Sequence, residues 1–234
     1  MDRRVPRIVM LLSNPYRPDP RVRREALALQ EEGYDILLFA WDREIGHPRL
    51  ETSEGIEIRR IGLSSSYDDL LQSVVKLPLL WLRMLVWLLR EEFEVIHSHD
   101  LDTLPVGLLA ARVKGKPCVF DAHEIYSAMV SESVPRWIFG LLRRVETILI
   151  ARPDLLITGS ERFGEIYSEM GARNVVVVMN SPPRAEIEGG NRESVRQSLG
   201  VEGKGVCLYA GMFERSRNLE TIIRAFKTME DEDP

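Results

Sequence analysis

His97-Ser98-His99-Asp100 and Asp121-Ala122-His123-Glu124 each place imidazoles and carboxylates at the point where an apolar run stops. These side chains hold and pass protons near neutral pH, hydrogen-bond hydroxyls and ligate metals. The preceding runs, Phe93-Glu94-Val95-Ile96 and Pro117-Cys118-Val119-Phe120, are strand-like, and a helix-like stretch over 103–114 lies between them. Parallel strands joined by a crossover helix bring their carboxyl ends to one edge of the sheet, where open α/β folds bind ligands. The clusters therefore predict a shared site.

Two chemistries can be weighed from residue types alone. His97, His99, Asp100 and His123 offer zinc-type ligands. Residues i and i+2 share a face only while a strand stays regular, and no cysteine joins the set, so no metal is expected. A Ser-His-Asp hydrolase lacks its nucleophile turn, because Thr158-Gly159-Ser160 is not embedded in G-x-S-x-G. His97, inside its strand, reads as a structural histidine.

The elements that must position these residues alternate. Strand-like runs occur at 8–12, 36–41, 56–61, 95–97, 119–121, 155–158, 175–179 and 206–209, several of them apolar without a polar alternation. Helix-like segments span 20–32, 70–92, 103–114, 135–151, 161–170, 193–199 and 219–229. This order predicts a doubly wound, mainly parallel α/β sheet with helices on both faces. The residues following the strands form a polar ring: Ser13 and Asn14, His99 and Asp100, His123 and Glu124, Gly159 to Glu161, Asn180 and Ser181, then Gly211. Asp19 and Pro20 mark a helix start facing that edge, a natural anion site. The loop before them is not G-x-G-x-x-G, so no dinucleotide site is expected.

The Pro- and Gly-containing stretch after Asn180 predicts a boundary. Residues 1–186 then form one α/β domain, and 187–234 a linker with a single βα unit that either opens a second, incomplete domain or folds back onto the first. The net charge of −5 argues against a nucleic-acid partner. Cys118 and Cys207 are expected as apolar filling of buried strands, fitting an intracellular protein. The apolar run 8–12 is too short for a secretory segment. The stretch 70–89 is strongly apolar but contains Lys76, Pro78 and Arg83. It is expected to form a buried helix kinked near Pro78, with membrane-surface contact as the alternative.

Asp19-Pro20-Arg21-Val22-Arg23-Arg24-Glu25-Ala26, His97-Ser98-His99-Asp100-Leu101-Asp102-Thr103-Leu104-Pro105 and Asp121-Ala122-His123-Glu124-Ile125-Tyr126 together resemble the amino-terminal half of family 4 retaining glycosyltransferases. That family has the GT-B architecture, two Rossmann-like domains facing across a cleft. The resemblance extends over essentially the whole chain. The stretch 208–220 is similar to the opening of the family's second domain: Met212 stands where an arginine is usual, Arg217 matches the following basic residue, and Asn218 replaces a glycine. The family's E-x7-E carboxylate pair has no counterpart after Gly205, and Ser13-Asn14-Pro15-Tyr16 replaces the glycine-rich loop of some members.

The resemblance implies transfer of a sugar, with retention, from a nucleoside-diphosphate sugar to a sugar or lipid-linked acceptor, without a metal or other cofactor. His123 would line the cleft beside the transferring sugar, hydrogen-bonding rather than attacking. His99 and Asp100 would orient the acceptor with Glu124 nearby, and Asn14 and Asn180 complete the substrate-binding set. Arg21 would reach an anionic acceptor, and Arg217 the donor pyrophosphate. Helix capping is the alternative for Asp100 and Glu124, and a solvated surface arginine for Arg21. With the donor half largely missing, the chain is expected to be inactive alone, and cytoplasmic or peripheral at the inner membrane face. The rival readings are a non-catalytic module that binds an acceptor or partner, an oligomer formed through the incomplete second domain, and a fragment of a sugar-nucleotide epimerase.

Overall fold

Short runs of valine, isoleucine and leucine without alternation pair as strands buried on both faces, and the amphipathic segments between them pack as crossover helices. The structure is a computed structural model and describes residues 5–17, 19–65, 70–129, 134–181, 191–211, 213 and 217–232. The chain divides into two compact units, Met1–Ser181 and Pro182–Pro234. The expected boundary after residue 186 falls within 182–190, outside the described residues.

The first unit is built on β1 (Arg7–Leu12), β2 (Asp35–Asp42), β3 (Leu50–Ser53), β4 (Ile56–Gly62), β5 (Val95–His99), β6 (Cys118–Ala122), β7 (Leu155–Thr158) and β8 (Val175–Val177). Their order is β3-β4-β2-β1-β5-β6-β7-β8. All neighbours are parallel except β3 and β4. Strand order reverses between β1 and β5, and such a switch point opens a crevice at the carboxyl edge. The helices are α1 (Pro20–Glu31), α2 (Leu70–Arg90), α3 (Leu104–Lys114), α4 (Tyr126–Met129), α5 (Arg136–Ile150) and α6 (Glu161–Glu169). One cluster packs α1 against β1, β2 and β4 through Val22, Ala26, Met10 and Leu38. The other covers the opposite face with α2 and α3, through Leu80, Met84, Leu88, Val106 and Ala110.

Strand β3 was not expected from the sequence. It closes a two-residue hairpin with β4, in which Ser53 pairs with Ile56 and both Glu54 (φ 53°) and Gly55 (φ 81°) are left-handed. That backbone suits the twist of a tight hairpin. A four-residue edge strand with exposed and half-buried side chains carries too little apolar signal to stand out.

Helix α2 differs from the buried helix expected. Leu80, Met84 and Leu88, at i, i+4 and i+8, are fully buried, whereas Leu79, Leu82, Val86 and Leu89 are exposed. Pro78 lies within the helix. No helix among the described residues is long and apolar enough to cross a membrane.

The second unit contains α7 (Arg192–Leu199) and α8 (Leu219–Glu232). The strand expected over 206–209 is not formed, and Cys207 is exposed rather than buried. An isolated apolar run has no ladder to complete without a neighbouring strand. Cys118 is buried as expected, and that burial pushes its thiol up to about 12, which leaves it unreactive.

Candidate functional site

The two clusters meet as the parallel register requires, because His97 pairs with Val119 and His99 with Asp121 across β5 and β6. The β5–α3 turn is pinned by Asp100, whose N–H donates to the Asp121 carbonyl at 3.1 Å. Asp100 adopts φ 64°, a left-handed conformation that aspartate tolerates better than most residues. The Thr103 hydroxyl donates to the carbonyl of His99 at 2.6 Å and fixes the start of α3. Just past β6, the N–H groups of Tyr126 and Ser127 donate to the buried Glu146 carboxylate of α5, at 2.8 and 3.1 Å. Glu146 thus caps α4 and holds the segment that carries His123.

Asp121 is the hub. Its Oδ2 lies 3.1 Å from His99 Nδ1, in a hydrogen bond, and 3.1 Å from His123 Nε2. The His97 and His99 rings stack with centroids 4.3 Å apart, and His99 and His123 lie 6.0 Å apart. Glu25 reaches down from α1, its Oε2 3.9 Å from His97 Nε2 and 4.0 Å from His99 Nδ1. The potential donor atoms of Glu25, His97, His99 and Asp121 all fall within 4.8 Å of one another.

This crowding sets the protonation states. Burial, and then the Asp121 carboxylate with the hydrogen bond shared between the two, push Glu25 up to about 8. Burial alone would raise Asp121 too, but the hydrogen bond and charge of His99 hold it below the ordinary carboxylate value. Burial drives His97 well down and lowers His123 to about 3. Near neutrality Glu25 therefore carries a proton, Asp121 is ionised, and His97 and His123 are neutral.

Above the cluster opens a cavity of about 480 Å³, lined on one side by Arg21, Arg24, Glu25, Asp121 and His123, and on the other by Gly159, Ser160 and Asn180. The Arg21 Nε is buried with no hydrogen-bond partner. Arg24 hydrogen-bonds Asn180. Ser160 caps α6 by accepting from the Phe163 N–H at 3.2 Å, so a helix N-terminus also faces this space. Larger hollows of about 550 and 850 Å³ lie between β4 and α2 and at the amino-terminal edge near Arg7 and Glu94. Neither gathers histidines.

Of the residues singled out from the sequence, His123, Arg21 and Asn180 meet at this cavity, with Asp100 Oδ1 4.0 Å from His123 Nε2. His99 is 1% exposed and supports Asp121 from below rather than facing the opening. Asn14 is engaged in its own loop, donating to Asp19 at 2.8 Å and accepting from the Tyr16 N–H at 2.7 Å. Glu124 is exposed and does not line the cavity; its carbonyl accepts from the Tyr167 hydroxyl at 2.8 Å. Glu146, not Glu124, caps α4. In the second unit Arg217 is exposed just before α8. Asn218 takes φ 52° there, a conformation natural to the glycine it replaces. Met212 lies outside the described residues.

The sequence pattern places Asp121 in its cluster without giving it a role of its own, and it does not single out Glu25. Glu25 had one available signal: it follows Arg21 by four residues and so shares its helix face.

A family model described as a glycosyl transferase 4-like domain matches residues 18–183. No curated protein matches the sequence. Among solved structures, a sucrose-phosphate synthase from Thermosynechococcus elongatus superposes with a TM-score of 0.74 at 16% identity, covering 94% of this chain and 59% of that one. An alpha,alpha-trehalose-phosphate synthase (UDP-forming) from Burkholderia vietnamiensis gives 0.53 at 16% identity, covering 82% of this chain and 54% of the other. A structure from E. coli described as trehalose-6-phosphate bound with UDP-2-fluoro glucose gives 0.53 at 15%, covering 83% and 54%. At these identities the likeness is one of fold, and the chain spans less than two thirds of the length of each structure. With the family match covering most of its length and a mostly parallel Rossmann-like sheet shared with these GT-B proteins, the chain belongs to the glycosyl transferase 4-like family.

Proposed function

We propose that this chain forms the acceptor side of a transferase that passes a sugar from a nucleoside-diphosphate sugar to an acceptor hydroxyl with retention of configuration. The observation that carries the reading is the cavity at the carboxyl edge, which a neutral His123 and the Arg21 side chain line together. A neutral imidazole donates from one nitrogen and accepts at the other, which suits a sugar hydroxyl. His123 would then line the cleft beside the transferring sugar. Asp121, held by His99, positions the ring from below. Arg21 and Arg24 meet an anionic group of the acceptor, together with the α6 N-terminus.

In this reading residues 187–234 open the donor-binding domain, where Arg217 meets the pyrophosphate and the transfer uses no metal or other cofactor. A uridine nucleotide is the first donor to test, because the neighbours from E. coli and Burkholderia vietnamiensis are described with UDP. The exposed leucines of α2, flanked by Arg83 and Arg90, support a lipid-linked acceptor reached from the cytoplasmic membrane surface.

The second reading is a non-catalytic binding module or oligomer. Leu208, Phe213 and Ile223 of the second unit are exposed, a surface that another chain would cover.

The test is transfer and donor hydrolysis with a panel of nucleotide sugars, using the chain as it stands and a form joined to a complete donor domain. Turnover confined to the longer form, and reduced roughly 100-fold or more by His123→Ala, is the expected result. Tight acceptor or partner binding with no turnover in either form overturns the transferase reading in favour of the second.

A further inference from the structure

We propose that Glu25, His97, His99 and Asp121 form a binding site for one divalent transition-metal ion, with zinc the ion its donors suit, beneath the cavity that holds His123. From the sequence no metal was expected, because a shared face for His97 and His99 required a regular strand. The structure supplies that regularity: β5 runs Val95–His99, and the two rings stack at 4.3 Å with 27° between their planes. Its other donors are Glu25 and Asp121 rather than Asp100 and His123.

The geometry fits a four-coordinate ion. Metal–ligand bonds near 2.1 Å place neighbouring ligand atoms of a tetrahedron about 3.4 Å apart. Here His99 Nδ1 and Asp121 Oδ2 are 3.1 Å apart, His97 Nε2 and Glu25 Oε2 3.9 Å, and His99 Nδ1 and Glu25 Oε2 4.0 Å. The four donor atoms fall within 4.8 Å of one another, so an ion would draw the set inward. Binding displaces the Glu25 proton, after which two carboxylates balance a dication and two imidazoles complete an N2O2 donor set typical of borderline metals.

A second observation points to an occupant. The His97 side chain is 6% exposed, yet its Nε2 has no hydrogen-bond partner. Buried polar atoms are rarely left unpaired, and each exception calls for a partner. His97 Nε2 faces Glu25 Oε2 across 3.9 Å. Coordination through His99 Nδ1 moves that ring's proton to Nε2, an atom with no other bond. Glu25 and Asp121 both line the open cavity, which gives the ion a path in. The site does not depend on the transferase reading.

The experiment is a zinc titration of the chelator-treated chain in a Cys207→Ser background, which removes an exposed thiol that could bind zinc by itself. Stoichiometry comes from calorimetry and coordination from the visible spectrum of the cobalt-substituted protein. One ion per chain, with a tetrahedral cobalt spectrum, is expected. Glu25→Gln and His97→Gln should each weaken binding by roughly 100-fold, and His47→Gln should leave it unchanged. Circular dichroism and urea midpoints of the metal-free variants separate loss of the site from loss of the fold. Absence of stoichiometric binding, which would leave water as the occupant, overturns the proposal. So does binding that survives in both ligand variants.

Discussion

The Asp121 carboxylate accepts a hydrogen bond from His99 Nδ1 at 3.1 Å and thereby joins the ends of β5 and β6. The same oxygen lies 3.1 Å from His123. His99 is therefore not a wall of the cavity but the anchor of the residue that supports the wall. A charge-assisted hydrogen bond of this kind is stronger than a neutral one, and truncating one partner strands the other.

Asp121→Ala should lower stability by about 2–3 kcal/mol, because it leaves the buried His99 without its acceptor. Asp121→Asn, which keeps the shape and one acceptor oxygen, should cost less. Urea unfolding of the two variants measures this. Equal midpoints for wild type and Asp121→Ala would remove Asp121 from its role as hub.

The protonation pattern predicts a stability maximum in mild acid. Glu25 is raised from its ordinary 4.5 to about 8, so the folded chain keeps a proton that the unfolded chain releases. Stability then falls as pH rises from 4.5 through 8. Asp100, raised to about 7 by its surroundings and by Asp102, acts in the same direction. His97 and His123 act oppositely. Both are lowered from 6.5, His123 to about 3, so below pH 6.5 the unfolded chain takes up protons that the folded chain refuses, and stability falls with acid. Asp121, lowered from 3.8, adds to the loss at the acid extreme. Urea midpoints of the metal-free chain should peak between about pH 4.5 and 6.5. Glu25→Gln should remove most of the decline between 6.5 and 8, and a variant that declines as steeply as wild type would contradict the shared proton.

Glu146→Ala removes the carboxylate that caps the buried start of α4 and leaves the Tyr126 and Ser127 N–H groups without acceptors. A loss of about 2–4 kcal/mol is expected from two orphaned donors. Hydrogen exchange at those two amides should accelerate well before global unfolding. Protection unchanged from wild type would show that another group replaces the cap.

Gly107 allows α3 to lie close on β5. A Cβ built there would stand 2.1 Å from Ser98 Oγ and 3.3 Å from Ile96 Cγ2, and Ser98 is fully buried. Gly107→Ala should therefore cost about 1–3 kcal/mol through overpacking, despite alanine's better helix propensity. A thermal melt decides the sign, and a rise in Tm would mean that propensity outweighs the clash.

Much of this arrangement is legible in the sequence, because it depends on local patterns. Alternating apolar runs and amphipathic segments predict the crossover sheet, and the register of parallel strands then carries His99 to Asp121. Asp19 and Pro20 predict the start of α1, and Asp19 does cap it by accepting from the Val22 N–H. What stays hidden depends on partners distant in the chain. Glu25 reads as one more acidic residue on a helix, and Glu146 as a polar break in an apolar face. Their roles exist only where α1 and α5 pack against the ends of β5 and β6. The run 206–209 shows the converse, an apolar pattern that forms no strand where no neighbour completes its hydrogen bonds.

The sequence by itself determined the parallel part of the sheet, its carboxyl edge and the presence of histidines and carboxylates there, since periodicity and chain connectivity leave few other solutions. Only the tertiary structure decided which of those groups face the cavity, which are buried beneath it and which hold protons. Protonation depends on burial and on charges a few ångströms away, and those distances are fixed when the helices close over the sheet.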